Sequence, residues 1–190
     1  PAEYRQTFTV ESPDRSIVAT VFVSENGNLG YSVRKNETDV LLRASLGLTV
    51  NGENLGQGVT LGEPETTTLD ETYETRGMHT QARNRYNQSA FLVSKTGSSQ
   101  TMILNFRVYD DGIAVQYQMP EGSVTISGDN TRFALPTDAK AFFQYGDNAD
   151  GSESYEGIRN MQGVTTASTV SGILGFVFSM AQMTANAGRS

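Results

Sequence analysis

Apolar and polar positions alternate with a period of two along most of the first 145 residues, the spacing of strands that bury one face. Tyr4 to Val10 alternates up to a Ser12-Pro13-Asp14 turn, and Ser16 to Val23 follows as a β-branched, apolar run. Asn26-Gly27 supplies the positive φ of a tight hairpin turn, and Leu29, Tyr31 and Val33 then share one face of a returning strand. Val40 to Leu42 and Leu46 to Val50 continue the pattern until Asn51-Gly52. From Gly56 to Met78 the chain is polar and rich in Thr and Glu, which predicts short or edge strands.

Gln81 to Ser94 and Thr101 to Tyr109 form the next pair, joined through Gly97-Ser98-Ser99, with Met102, Leu104, Phe106 and Val108 on one face. Asp110-Asp111-Gly112 turns the chain into Ile113, Val115 and Tyr117. Short strands are predicted at Val124–Ser127, Arg132–Leu135 and Ala141–Tyr145. No apolar stripe of helical period precedes residue 160, so the fold predicted is all-β, an antiparallel β-sandwich.

The last thirty residues differ. Met161 to Ser190 hold three of the six methionines and a single charge, Arg189. Gly172 to Phe178 is apolar and uncharged, and reads as a buried final strand or, if exposed, an aggregation-prone one. The domain expected is therefore a sandwich over 1–160, with an atypical low-charge tail over 161–190 that is a final strand or a segment foreign to the domain.

Composition narrows the function. A net charge of −7, from 21 acidic and 14 basic residues, argues against a nucleic-acid partner, because phosphate binding needs a basic surface. With no cysteine there is no disulfide, thiolate metal site or cysteine nucleophile. No apolar stretch reaches the ~20 residues of a membrane span. A start at Pro1-Ala2-Glu3 fits a mature terminus left by signal-peptide removal, so a periplasmic or secreted location is expected.

No catalytic constellation assembles itself. His79 is the only histidine and reads as a surface strand residue, and the chain has no Gly-x-Ser-x-Gly elbow or phosphate-binding glycine loop. Asp110 and Asp111 read as turn residues that cap their own backbone, and Glu71 and Glu74 as a solvated edge. Asp147, Asp150, Glu153 and Glu156 follow at three-residue spacing; such a loop is either a solvated acidic loop or a source of oxygen ligands for Ca²⁺. Phe142, Phe143, Tyr145 and Tyr155 flank or lie within it, and aromatics beside carboxylates are what a sugar-binding surface uses, as well as a sheet edge. Tyr145 and Tyr155 are the candidate substrate-binding residues.

Several segments, in order, resemble the N-terminal domain of glycoside hydrolase family 97. They are Val10-Glu11-Ser12-Pro13-Asp14 with Gly30-Tyr31-Ser32-Val33, Ser45-Leu46-Gly47-Leu48-Thr49, Arg83-Asn84-Arg85-Tyr86-Asn87-Gln88, Phe106 to Val115 around Tyr109-Asp110-Asp111-Gly112, and Tyr155-Glu156-Gly157. The resemblance covers about residues 8–160. It implies a supersandwich packed on a catalytic (β/α)₈ barrel in a bacterial α-glucosidase or α-galactosidase, non-catalytic itself and short of some family strands. It also implies a carboxylate that helps to bind Ca²⁺, a role that Glu156 fits best. Two other readings stand beside this one. The first is a stand-alone sandwich that binds carbohydrate or protein through Phe142, Tyr145 and Tyr155; the second is a self-contained enzyme using the acidic loop. Oligomers through exposed strand edges are expected if the sandwich lacks strands.

Overall fold

The computed structural model describes residues 4–75 and 81–136, together with the backbone of 140–143, 157–160 and 178–179. The described residues form fifteen strands and no helix, all paired antiparallel, so the all-β expectation holds. None of them forms a helix long and apolar enough to cross a membrane.

The first sheet is a meander of β1 (Tyr4–Glu11), β2 (Ile17–Ser24), β3 (Leu29–Lys35) and β4 (Thr38–Ser45). Its β2–β3 turn places Gly27 at φ +77°, as the Asn-Gly signal predicts. β5 (Leu48–Val50) and β6 (Glu53–Asn54) are joined by Asn51 and Gly52 at φ +50° and +82°, the doubly positive backbone of a primed hairpin turn. The second large sheet is built around one long strand, β9 (Gln81–Lys95). One side of β9 pairs first with β8 (Glu65–Glu74) and then with β7 (Val59–Leu61); the other side pairs with β10 (Thr101–Tyr109), which leads to β11 (Gly112–Gln118). β12 (Ile126–Asp129) returns to β5, β13 (Lys140–Phe143) pairs with β14 (Gly157–Asn160), and β15 (Phe178–Ser179) adds to β11 at Gly112 and Ile113.

The two large sheets face each other across one core. β2 contributes Ile17, Ala19, Val21 and Val23, and β10 contributes Met102, Leu104, Phe106 and Val108, each fully buried. Rings lock the layers together: Phe8 lies 5.3 Å from Phe91, and Tyr31 lies 5.7 Å from Phe106. The predicted strand at Arg132–Leu135 is not one. That segment touches the first sheet by separate bonds, from the Arg132 N–H to the Ser45 carbonyl and from the Leu42 N–H to the Ala134 carbonyl. A side-chain turn at Asp129, whose Oδ1 accepts the Thr131 N–H, interrupts the ladder before it. Pro136 then offers no N–H to extend it.

Tyr31 is buried to its hydroxyl, which donates to the Arg132 carbonyl at 3.0 Å. Burial, with the neighbouring Tyr117 adding to it, pushes its ionisation well above the ordinary tyrosine range. A pKa raised by folding contributes stability below the unfolded value of about 10 and loses it as pH rises further. The urea midpoint of the chain is therefore expected to fall above about pH 10. Tyr31→Phe should lower the midpoint at neutral pH by the equivalent of about 1 kcal/mol and make that alkaline fall shallower. An identical alkaline slope in the variant would rule out Tyr31 as its source.

Candidate functional site

The residues singled out for sugar and calcium, Tyr145, Tyr155 and Glu156, lie outside the described residues, as do His79, Asp147, Asp150 and Glu153. Phe142 and Phe143 fall on β13, which pairs with β14 at Ile158 and Gly157. The described residues instead bring together two other segments of the resemblance, Arg83 to Gln88 and Tyr109 to Gly112, at one end of the sandwich.

The period of two along β9 sends Arg83, Arg85 and Asn87 to the face that becomes core farther along the strand, at Ser89 and Phe91. Beyond the end of the core this face turns polar. Asp70 of β8 sits opposite Arg85 in register, and Asp110 lies in the turn after β10. Arg83 holds Asp70 in a two-pronged bond, Nε to Oδ1 at 2.8 Å and Nη2 to Oδ2 at 2.7 Å. Arg85 lies between two carboxylates, 3.9 Å from Asp70 and 3.4 Å from Asp110.

The group also ties the layers to each other. The Asp14 N–H, in the turn between β1 and β2, donates to Asp110 Oδ1 at 2.9 Å. Asn87 Nδ2 donates to the Glu11 carbonyl at 2.8 Å, while Thr68 Oγ1 donates to Asn87 Oδ1 at 2.8 Å. Asp110 therefore does not cap its own backbone, as a turn aspartate was expected to; it accepts a bond from a residue 96 positions away. No local sequence signal announces that partnership, although the Tyr-Asp-Asp-Gly segment and the Ser-Pro-Asp turn each stand out singly. Glu71 and Glu74 are exposed, as expected, and Glu71 Oε1 accepts a bond from Asn84 Nδ2 at 2.9 Å.

On the opposite face the same strands carry an aromatic group. The Arg107 guanidinium stacks 4.4 Å above the Tyr86 ring, and its Nε donates to Gln88 Oε1 at 2.5 Å. Tyr109 packs against Tyr86 with ring centres 5.2 Å apart.

These electrostatics favour anchoring over proton transfer. The Arg83 hydrogen bond, outweighing a small desolvation and aided by the charges of Arg83 and Arg85, holds Asp70 below the usual carboxylate range. At Asp14 the limited desolvation pushes upward, but hydrogen bonds from the Ser12 hydroxyl and the Ser16 N–H bring the carboxyl down to about 2. A glycosidase acid needs the reverse, a carboxyl kept protonated near neutrality. Among the described residues no three His, Cys, Asp or Glu side chains are grouped to hold a metal ion.

A carboxyl whose pKa is depressed by folding stabilises the native state above its unfolded value and loses that contribution as pH falls toward the folded one. Asp14 thus predicts an acid-side loss between about pH 4 and pH 2. Solvent screening keeps the loss modest, since Asp14 is exposed. Urea midpoints of the wild type and Asp14→Asn should converge across that window; curves that stay parallel would remove Asp14 from the account.

The family model described as Glycosyl-hydrolase 97 N-terminal matches residues 10–185, which carries the likeness beyond Asn160. A probable retaining alpha-galactosidase of Streptomyces bingchenggensis is 32% identical over 117 residues, covering 61% of this chain and 18% of that protein. Among solved structures, a beta-arabinopyranosidase superposes with a TM-score of 0.68 at 24% identity, over 75% of this chain and 23% of that one. A glycoside hydrolase family 97 enzyme of Pseudoalteromonas sp. strain K8, in complex with acarbose, superposes with a TM-score of 0.67 at 16% identity, over 81% of this chain and 24% of that one. The chain spans about a fifth to a quarter of the length of these relatives.

Proposed function

Because the chain belongs to the glycosyl-hydrolase 97 N-terminal family, we propose that it is the non-catalytic N-terminal β-sandwich of a larger, secreted α-galactosidase or α-glucosidase. In that role it packs against a catalytic (β/α)₈ barrel of the same polypeptide. One observation carries the reading: the family match runs over residues 10–185, while the chain spans only 18% of the α-galactosidase it resembles. The site chemistry agrees with it. The described carboxylates that cluster, Asp70 and Asp110, are engaged by Arg83, Arg85 and the Asp14 N–H, which suits a structural end to the sandwich. The chain's further contribution is one calcium ligand, for which Glu156 is the candidate, with Tyr145 and Tyr155 beside it at the edge of the sugar site. Calcium bound there would supply a fixed positive charge at the rim of the active site.

The coding frame past residue 190 is the first thing to read, because a barrel encoded there is what the proposal requires. The longer polypeptide should then hydrolyse nitrophenyl α-galactoside or α-glucoside, and the 190-residue chain should show no turnover above buffer. Turnover by the chain alone would overturn the non-catalytic assignment. Sugar affinity without turnover, with no barrel in the frame, would move the assignment to a stand-alone binding module. Calorimetry of the longer polypeptide with calcium, before and after Glu156→Gln, tests the ligand: unchanged affinity removes Glu156 from the site.

A further inference from the structure

The pairing of β8 with β9 runs farther than the sheet around it. β10 stops at Tyr109, opposite Tyr86, yet the β8–β9 ladder continues through Leu69↔Tyr86 to Glu74↔Gln81. Residues 69–74 and 81–86 thus form a two-stranded arm that outreaches the rest of its sheet. Every residue of β8 is exposed except Leu69, which is half-buried. A two-stranded ribbon without a covered face is marginal in water, so this much regular ladder calls for a surface to lie against.

The two faces of the arm differ. Asp70, Thr72, Glu74, Gln81, Arg83 and Arg85 form a polar side on which Asp70 pairs with both Arg83 and Arg85. The other side carries Leu69, Tyr73 and Ala82, with Tyr86 at its root, and its polar pair, Glu71 and Asn84, is already hydrogen-bonded internally. Tyr73 stands opposite the small Ala82 and is 52% exposed. This alternation belongs to a strand pair with one face covered. An exposed tyrosine flanked by small and aliphatic neighbours is a frequent anchor of protein interfaces.

We propose that the Leu69–Tyr73–Ala82 face of the arm docks on the catalytic domain of the same polypeptide. The inference rests on the accessory-domain reading above and specifies the surface that reading leaves open. The occupant is chosen because more than three quarters of each relative's length lies outside the part this chain matches. A polar side whose arginines are held by aspartates and a separate apolar side also suit a permanent intrachain contact, in which only one face need lose water.

Hydrogen–deuterium exchange on the longer polypeptide and on the 190-residue chain provides the test. Amides of 69–74 and 81–86 should exchange at least about tenfold more slowly in the longer protein. Tyr73→Glu in that protein should return them to the fast rate and leave the slow amides of β10 unchanged, which shows that the sandwich itself stays folded. Arm amides that exchange alike in both proteins, or a Tyr73→Glu variant that keeps its protection, would overturn the inference. Protection gained on another surface of residues 1–190 would also overturn it while leaving the accessory-domain reading intact. No gain of protection anywhere would defeat both.

Discussion

Phe106→Ala is expected to destabilise the folded chain by about 3–5 kcal/mol, enough to leave much of it unfolded at 37 °C. Phe106 is fully buried at the middle of β10, flanked in register by Ser89 on β9 and Val115 on β11. Its ring tilts against Tyr31 of the opposing sheet at 58°. Truncation loses the transfer free energy of the ring and leaves a cavity between two layers that cannot close, because the flanking strands hold their spacing through the ladder. Leu92→Ala is the control: Leu92 lies on the neighbouring strand but on the outer face, 48% exposed, and should cost under about 0.5 kcal/mol. Urea unfolding followed by tyrosine emission separates the two, since the chain has no tryptophan. Equal midpoint shifts would mean that the inner and outer faces of this sheet have been assigned wrongly.

Gly47→Ala should cost about 3 kcal/mol or more, against about 1–2 kcal/mol for Gly52→Ala. Both glycines sit at positive φ, +142° and +82°. They differ in their surroundings. A Cβ on Gly47 would lie 2.5 Å from the Gly56 Cα and 2.7 Å from its nitrogen, whereas one on Gly52 meets nothing within 4 Å. The Gly47 contact is backbone against backbone, so no side chain can swing away to relieve it. Moving Gly47 would also break the bond its N–H donates to the Tyr117 hydroxyl and the one its carbonyl accepts from Asn130. Leu46, Leu48 and Leu55, all buried around it, would shift as well. Thermal midpoints of the two variants decide the matter. If Gly47→Ala is no worse than Gly52→Ala, the close approach of residues 47 and 56 is not a feature of the protein.

The Gly47 case shows how legibility divides in this chain. The segment Ser45-Leu46-Gly47-Leu48-Thr49 was visible as a motif, and its leucines as core, but the glycine's reason lies in Gly56, across the β5–β6 turn. Asp110 divides the same way: the turn was readable, whereas its bond to Asp14 required the two sheets to be brought together. The candidate ligands Tyr145, Tyr155 and Glu156 fall outside the described residues, so the site with the clearest geometry is built from residues that the sequence presents as turn and edge.

By itself the sequence determined the all-β class, the inner faces of β3, β10 and β11, and the Asn-Gly turns. All of these follow from the period of two and from residues that tolerate positive φ, which are properties of a few consecutive positions. The tertiary structure decided that β7 and β8 share one side of β9, that residues 132–135 meet β4 without becoming a strand, and that Asp70, Arg85, Asp110 and Asp14 converge. Those outcomes depend on which edges and charges meet across long stretches of chain, and a period of two orders a strand's faces without specifying the partner along its edge.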